Sequence, residues 1–175
     1  DLDTFRQRYD AGYRWFKLKL GMGDPRHELE TFRGMAAHAD DLMLCGDANA
    51  VWSEQTSAAF LRGTDGMPIR MIEHPTRSHD ALVRLAATSP TAICADESAK
   101  TFGDILSFNG TAIAGVSLKL IKHVGITGVM RAAAVCDAMG LHVNLAGKIA
   151  ESSIAAAANL HCAAAMTDTH YGCSP

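Results

Sequence analysis

The chain lacks any apolar run approaching the roughly 20 residues that a bilayer span requires. It also lacks an excess of charge of either sign: 16 basic residues face 19 acidic ones, for a net charge of −3. No basic stripe or acidic tail emerges, so binding to nucleic acid or to an anionic membrane has no electrostatic basis. Its five cysteines (Cys45, Cys94, Cys136, Cys162, Cys173) are odd in number and contain no CxxC pair. Cys45 and Cys94 sit inside apolar runs, where a thiol behaves as a small hydrophobe. Neither a disulfide framework nor a zinc site is expected, and a reducing cytoplasm is the expected setting. There is no Gly-rich phosphate loop and no GxGxxG pattern, so nucleotide cofactors are not indicated. The opening Asp1-Leu2-Asp3 does not read as a signal peptide.

What is present is a globular composition: 175 residues, 48% hydrophobic and 20% charged, with 15 glycines. That length fits one domain and a sizeable core. Short apolar runs predict strands at 16–20, 42–47, 69–73, 92–96, 115–121, 142–146 and 167–171. Helical patterns with polar faces fall at 4–11, 26–39, 54–61, 79–87, after Phe102, at 125–139 and at 152–165. A strand followed by a helix about every 25 residues predicts a parallel α/β fold. A doubly wound sheet tolerates seven strands but places ligand groups at one switch point. Here almost every strand ends in a polar group, which favours a (β/α)₈-type (TIM-like) barrel. Such a barrel needs eight strands and typically about 250 residues. Residues 1–175 are therefore expected to form a partial catalytic barrel domain of about seven βα units.

The strand ends carry the chemistry. Lys17 and Lys19 close the first strand, Asp47 and Asn49 the second, Glu73 the third, Asp96 and Glu97 the fourth, and Lys119 lies in the fifth. Successive members of the series Lys19, Asp47, Glu73, Asp96 and Lys119 lie 23 to 28 residues apart. One βα repeat separates each from the next, so all five are expected at the same C-terminal mouth. An aspartate after an apolar strand is ordinarily a turn former or helix cap, and a strand-end lysine ordinarily snorkels to water. Three carboxylates on three successive strands are different, because burying them together without a cation is very costly. An oxygen-only donor set suits a hard divalent cation, Mg²⁺ or alternatively Mn²⁺.

At these residues the sequence resembles the enolase superfamily, in its mandelate racemase/muconate lactonizing subgroup. Lys17-Leu18-Lys19 resembles that group's KxK motif. Asp47-Ala48-Asn49, Glu73-His74-Pro75 and Ala95-Asp96-Glu97-Ser98 resemble its three metal-ligand motifs. Ser117-Leu118-Lys119-Leu120-Ile121-Lys122 with Gly125-Ile126 resembles its second-lysine segment. The resemblance implies one Mg²⁺ on Asp47, Glu73 and Asp96, stabilising an enediolate formed when a lysine removes the proton α to a carboxylate. It makes Lys19 and Lys119 the acid/base pair, with Lys17 assisting, and Asn49 and Glu97 groups that orient ligands or a lysine. The family also has an N-terminal α+β capping domain, to which no segment of this chain corresponds.

Two features depart from the pattern. Lys148 stands where a less charged strand exit is expected. In the segment 167–172, Asp168 and His170 are candidate substrate contacts, but His170 replaces the second acid of dipeptide-epimerising relatives. His74 is expected to orient Glu73 or to pack beside Pro75.

The expected activity is that of an Mg²⁺-dependent isomerase (racemase, epimerase or cycloisomerase) or lyase (dehydratase) on a small carboxylate. The expected assembly is a cytoplasmic homo-oligomer without nucleic-acid or membrane partners. Two other classes stay open: a Schiff-base aldolase using Lys119, and a non-catalytic binding barrel.

Overall fold

A computed structural model describes residues 2–167 and 169–174. Its contacts divide the chain into two compact units, Asp1–Ile93 and Cys94–Pro175. No helix among the described residues is long and apolar enough to cross a membrane.

In the first unit, α1 (Leu2–Asp10) leads into β1 (Trp15–Lys19), α2 (Pro25–Ala36), β2 (Met43–Asp47), α3 (Glu54–Arg62), β3 (Ile69–Glu73) and α4 (His79–Thr88). The three strands pair in parallel and in chain order. Phe32, Leu44, Met71, Ile72 and Leu82 are fully buried and form the core. Asp24, Ser53 and Ser78 cap α2, α3 and α4, each accepting a backbone N–H of the first turn. Such caps satisfy donors that the helix itself leaves unpaired.

Register within this sheet sets the site. Lys19 is level with Asp47, and Asp47 with Glu73. The second match depends on a bulge: Leu44 pairs with Ile69, but Cys45 pairs with Met71, so exposed Arg70 is the extra residue. Without it Asp47 would lie level with Ile72, because a one-residue slip exchanges the faces of a strand.

The second unit begins within β4 (Ile93–Ala95), which is followed by α5 (Phe102–Leu106), β5 (Gly115–Leu118), α6 (Gly125–Met139), β6 (His142–Ala146), α7 (Ser153–Ala165) and β7 (Cys173–Ser174). These strands also pair in parallel and in chain order. Ile105, Val116, Leu118, Val129, Cys136 and Leu145 are fully buried. Thr101 and Asp104 form a capping box on α5, and Ser152 caps α7, whereas Val124 gives α6 no side-chain cap.

Two strand expectations need correction. The fifth strand ends at Leu118 rather than at residue 121. The carbonyl of Lys119 accepts from the amides of Lys122 (3.1 Å) and His123 (2.9 Å), so the chain turns there instead of extending. The last strand is Cys173–Ser174, not 167–171. The Gly172 amide donates to Thr169 at 2.7 Å with Gly172 at φ +92°, so a turn occupies the expected strand and the ladder starts after it. Asp168 within that segment lies outside the described residues.

Backbone strain is concentrated at one end of the strands. Among the described residues, five non-glycines have left-handed φ: Asn49 and Ala50 after β2, His74 after β3, Val124 after β5 and Ala150 after β6. Such residues cost of order 1–3 kcal/mol each and gather where function over-determines the backbone.

Two outcomes follow from this packing. A Cβ on Gly46 would lie 2.6 Å from Leu20 Cδ1, 2.8 Å from Ile72 Cδ1 and 3.2 Å from Phe32 Cζ. Gly46→Ala should therefore lower the free energy of unfolding by about 1–3 kcal/mol, as overpacking does, and urea titration at the two sequences checks it. Burial pushes the Cys45 thiol up to about 11 and the Cys136 thiol up to about 12. Cys94 and Cys162 are buried as well, and Cys173 is half-buried. Ellman's reagent at pH 8 should modify Cys173 alone in the folded protein and all five thiols after denaturation.

Candidate active site

In the first unit two lysines meet two buried carboxylates. Asp47 and Glu73 are 3% and 0% exposed. Lys17 is ion-paired with Glu73 and lies 3.9 Å from Asp47, while Lys19 donates to Asp47 Oδ2 at 2.5 Å. Period-2 alternation sends both lysines to the same face of β1, and the register carries that face across β2 and β3. Lys19 also donates to Asn49 Oδ1 at 3.0 Å, and the Asn49 amide donates to Asp47 Oδ1 at 3.0 Å. Asn49 thus joins the lysine to the aspartate in a closed local network. Two ammonium groups offset two carboxylates, which makes their burial tolerable.

Backbone irregularity keeps this geometry in place. Beyond β2 the chain runs on beside the segment that follows β3: the amide of Ala48 donates to Glu73 O, that of Ala50 to His74 O, and that of Trp52 to Pro75 O. His74 is 1% exposed and left-handed at φ +40°. The loop after β1 is held differently. The Glu28 carboxylate of α2 accepts the amides of Gly21, Met22 and Gly23 at 3.0, 3.0 and 3.2 Å. Charge-assisted bonds of this kind are stronger than neutral ones, so Glu28 fixes the turn that begins two residues after Lys19. The sequence reading missed Glu28, whose only signal was a carboxylate in the first turns of a helix following a Gly-Met-Gly loop.

The second unit holds one buried carboxylate between two lysines. Asp96, 2% exposed, follows β4 directly. Its Oδ2 is ion-paired with Lys119, and its Oδ1 accepts from Lys122 at 2.7 Å. Burial raises the Asp96 pKa, but the nearby charges of Lys122 and Lys119 outweigh it and hold the carboxyl at about 2. Below this pair lies a polar layer: Asn144 Nδ2 donates to Ser117 Oγ at 2.7 Å, with the Cys94 thiol 3.6 Å from the same hydroxyl. His123 Nδ1 accepts the Lys119 amide at 3.2 Å. Burial and the neighbouring Lys122 lower the His123 pKa, favouring the neutral ring that this bond requires.

Lys122, His123 and Asn144 were not assigned from sequence. A strand running to residue 121 puts residues 119 and 122 on opposite faces, and only the turn at Lys119 brings both lysines to Asp96. Glu97 occupies the turn after Asp96 and is half-buried. His170 is placed elsewhere. Its ring stacks on His142 at 4.3 Å, and His142 opens β6, at the opposite end of the strands from Lys119. Lys148 is exposed in the connection after β6. Among the described residues, no three or more His, Cys, Asp or Glu side chains are gathered closely enough to hold a metal ion.

The enolase C-terminal domain-like family matches residues 2–175. The chain is 30% identical to chloromuconate cycloisomerase of Cupriavidus necator over 99% of its own length and 48% of that protein. It is 30% identical to L-Ala-D/L-Glu epimerase of Bacteroides thetaiotaomicron over 81% of its length and 36% of that protein. The structure of muconate lactonizing enzyme from Pseudomonas putida superposes with a TM-score of 0.89 at 24% identity, covering 99% of this chain and 49% of that one. The chain thus spans about half the length of the curated relatives it matches. Its fold is the TIM-like barrel fold of the muconate-lactonizing enzymes. On the family match and the cycloisomerase identity together, the chain belongs to the enolase C-terminal domain-like family.

Proposed function

We propose that this protein removes the proton α to the carboxylate of a small acid, using Lys19 and Lys119 as its acid/base groups and a divalent cation, Mg²⁺, held by Asp47, Glu73 and Asp96. The observation that carries the reading is the state of these carboxylates. Each is buried at a strand end and each is neutralised by a lysine: Asp47 by Lys19 and Glu73 by Lys17, both of β1, and Asp96 by Lys119 in the turn after β5. The donor set is all carboxylate oxygen, which fits a hard cation. When bound, such an ion supplies stabilisation of the negative charge that develops on the substrate carboxylate.

The chain's own residues divide the remaining tasks. Lys19, with its side chain 58% exposed, is the lysine within reach of substrate in the first unit. It is the group placed to take the α-proton. Lys17, 20% exposed and held on Glu73, contributes positive charge beside the substrate carboxylate. Asn49 orients Lys19 through its Oδ1. Lys119, backed by His123 through its own amide, stands at the end of β5 to return a proton or to stabilise charge. If Lys119 reprotonates the α-carbon on the opposite face, the outcome is racemisation or epimerisation. If a β-substituent leaves instead, the outcome is cycloisomerisation or dehydration. The relatives named as a cycloisomerase and an epimerase support both outcomes. Glu97 and Asp168 remain proposed substrate or orienting groups, and the protein is proposed to act as a homo-oligomer in the cytoplasm.

Solvent-deuterium exchange into the α-position of a panel of carboxylic acids tests the reading. Exchange should require Mg²⁺ and stop with EDTA. Lys19→Ala and Lys119→Ala should each lower it by about 10²–10⁴-fold, the usual contribution of a general base. For a racemase each variant should lose exchange with one enantiomer; for an elimination catalyst a single lysine should account for all of it. Activity that survives EDTA and traps on Lys119 with borohydride would replace this reading with imine chemistry.

The metal-free protein should also lose stability in acid. Asp96 titrates at about 2 in the folded chain and near 3.9 when unfolded. Its contribution is therefore complete above about pH 4 and vanishes as the pH falls toward 2. Thermal melts across that window should fall more steeply for the parent than for Asp96→Asn.

A further inference from the structure

The loops that follow β1 and β2 touch at one glycine. A Cβ on Gly21 would overlap the Val51 Cγ2 methyl and lie 3.5 Å from the Ala48 carbonyl oxygen. Gly21 also sits at φ +76°, a conformation that glycine takes without strain. Val51 closes a tight turn, its amide donating to Ala48 O at 3.1 Å. The two residues inside that turn, Asn49 and Ala50, are left-handed at φ +45° and +60°. Alanine has no polar side chain to compensate such a backbone locally, so this turn depends on its neighbours. The same turn carries the Asn49 Oδ1 that accepts from Lys19 at 3.0 Å.

Glu28 holds the first loop in place against the second. Its Oε2 accepts the Gly21 amide, and its Oε1 accepts those of Met22 and Gly23. With both oxygens engaged by three donors, the carboxylate fixes the loop as a unit. Capping α2 does not explain this reach, because Asp24 already caps that helix. A continuous line of contacts therefore runs from Glu28 through Gly21 and Val51 to the Asn49 turn and the Lys19 ammonium. Every member of it lies in the first unit.

We propose that Glu28 is a positioning residue: by seating Gly21 against Val51 it holds the strained turn at Asn49 and Ala50, and so keeps Lys19 aimed. This rests on the proposed function only in making Lys19 the group placed to take the α-proton, and no metal enters it. Glu28 acts through the backbone of two loops rather than on the reacting atoms. Misplacing a reacting group by about 1 Å costs as much as about 10²-fold in rate, so a remote carboxylate here bears on the chemistry.

Two measurements on the protein at its full native length test this. In Glu28→Ala the backbone amide order parameters of Asn49 and Ala50 should fall from about 0.85, the rigid value, to below about 0.6. Those of Ile72 in β3 and Leu82 in α4 should stay at the parent level. With the acid of the panel whose α-proton the parent exchanges fastest, kcat should fall by about 10–10²-fold and KM stay within about twofold. Loss of order confined to residues 21–23 would overturn the proposal, showing that the two loops are independent. Loss of order at Ile72 and Leu82 as well would overturn it by showing a general structural role. A raised KM with kcat unchanged would overturn it too, since Glu28 would then shape the binding surface and not the base. If Glu28→Ala has no cooperative unfolding transition, Glu28→Gln carries the same comparison, because its amide nitrogen cannot accept as the lost oxygen did. A parent that exchanges no acid overturns the proposed function and this role of Glu28 together. A parent that exchanges an acid while Glu28→Ala matches its kcat overturns this proposal alone.

Discussion

Ammonium against buried carboxylate is the interaction on which the rest of the molecule depends. A carboxylate removed from water is tolerated only where opposite charge and hydrogen bonds replace the solvent. The first unit meets this condition with two lysines from one strand and two acids from the next two strands. The second meets it with two lysines from one turn and a single acid. The surrounding structure is arranged to hold these partners level. The bulge at Arg70 aligns Glu73 with Asp47, and the turn at Lys119 gathers Lys119 and Lys122.

The parallel strand–helix order and the identity of the strand-end residues were legible in the sequence. Lys17, Lys19, Asp47, Glu73, Asp96 and Lys119 announce themselves because each ends an apolar run and each recurs after one βα repeat. Other parts were illegible for a common reason: they depend on departures from periodicity. Alternation over 115–121 gives no warning that the chain turns after Leu118, because the residues beyond it are still apolar and lysine-rich. Likewise the strand expected at 167–171 is placed too early, since the paired residues of β7 start at Cys173. The bulge in β3 is equally silent, since Arg70 reads as an ordinary outward-facing residue. His170, a candidate substrate contact by sequence, precedes the strand that the structure forms, and its ring stacks on His142 at the start of β6.

Strain and capping mark the same strand ends. Helix starts after β1, β2, β3, β4 and β6 carry side-chain caps from Asp24, Ser53, Ser78, Thr101 and Ser152. The left-handed residues Asn49, Ala50, His74, Val124 and Ala150 occupy connections leaving those same ends. Conformational energy is thus stored at the termini that bear the ionisable groups, whereas the left-handed positions entering β1, β3, β5, β6 and β7 are glycines, which take that conformation without strain. This asymmetry is independent of any resemblance and points to the same strand ends.

The central place of β5 has a further consequence for how the second unit opens. β5 is paired on both sides, to β4 and to β6. Its amides should exchange with solvent only through a large opening of the unit, because a strand bonded along both edges gives up its hydrogen bonds late. The lysine–aspartate cluster at its end therefore belongs to the slow-exchanging part of the unit.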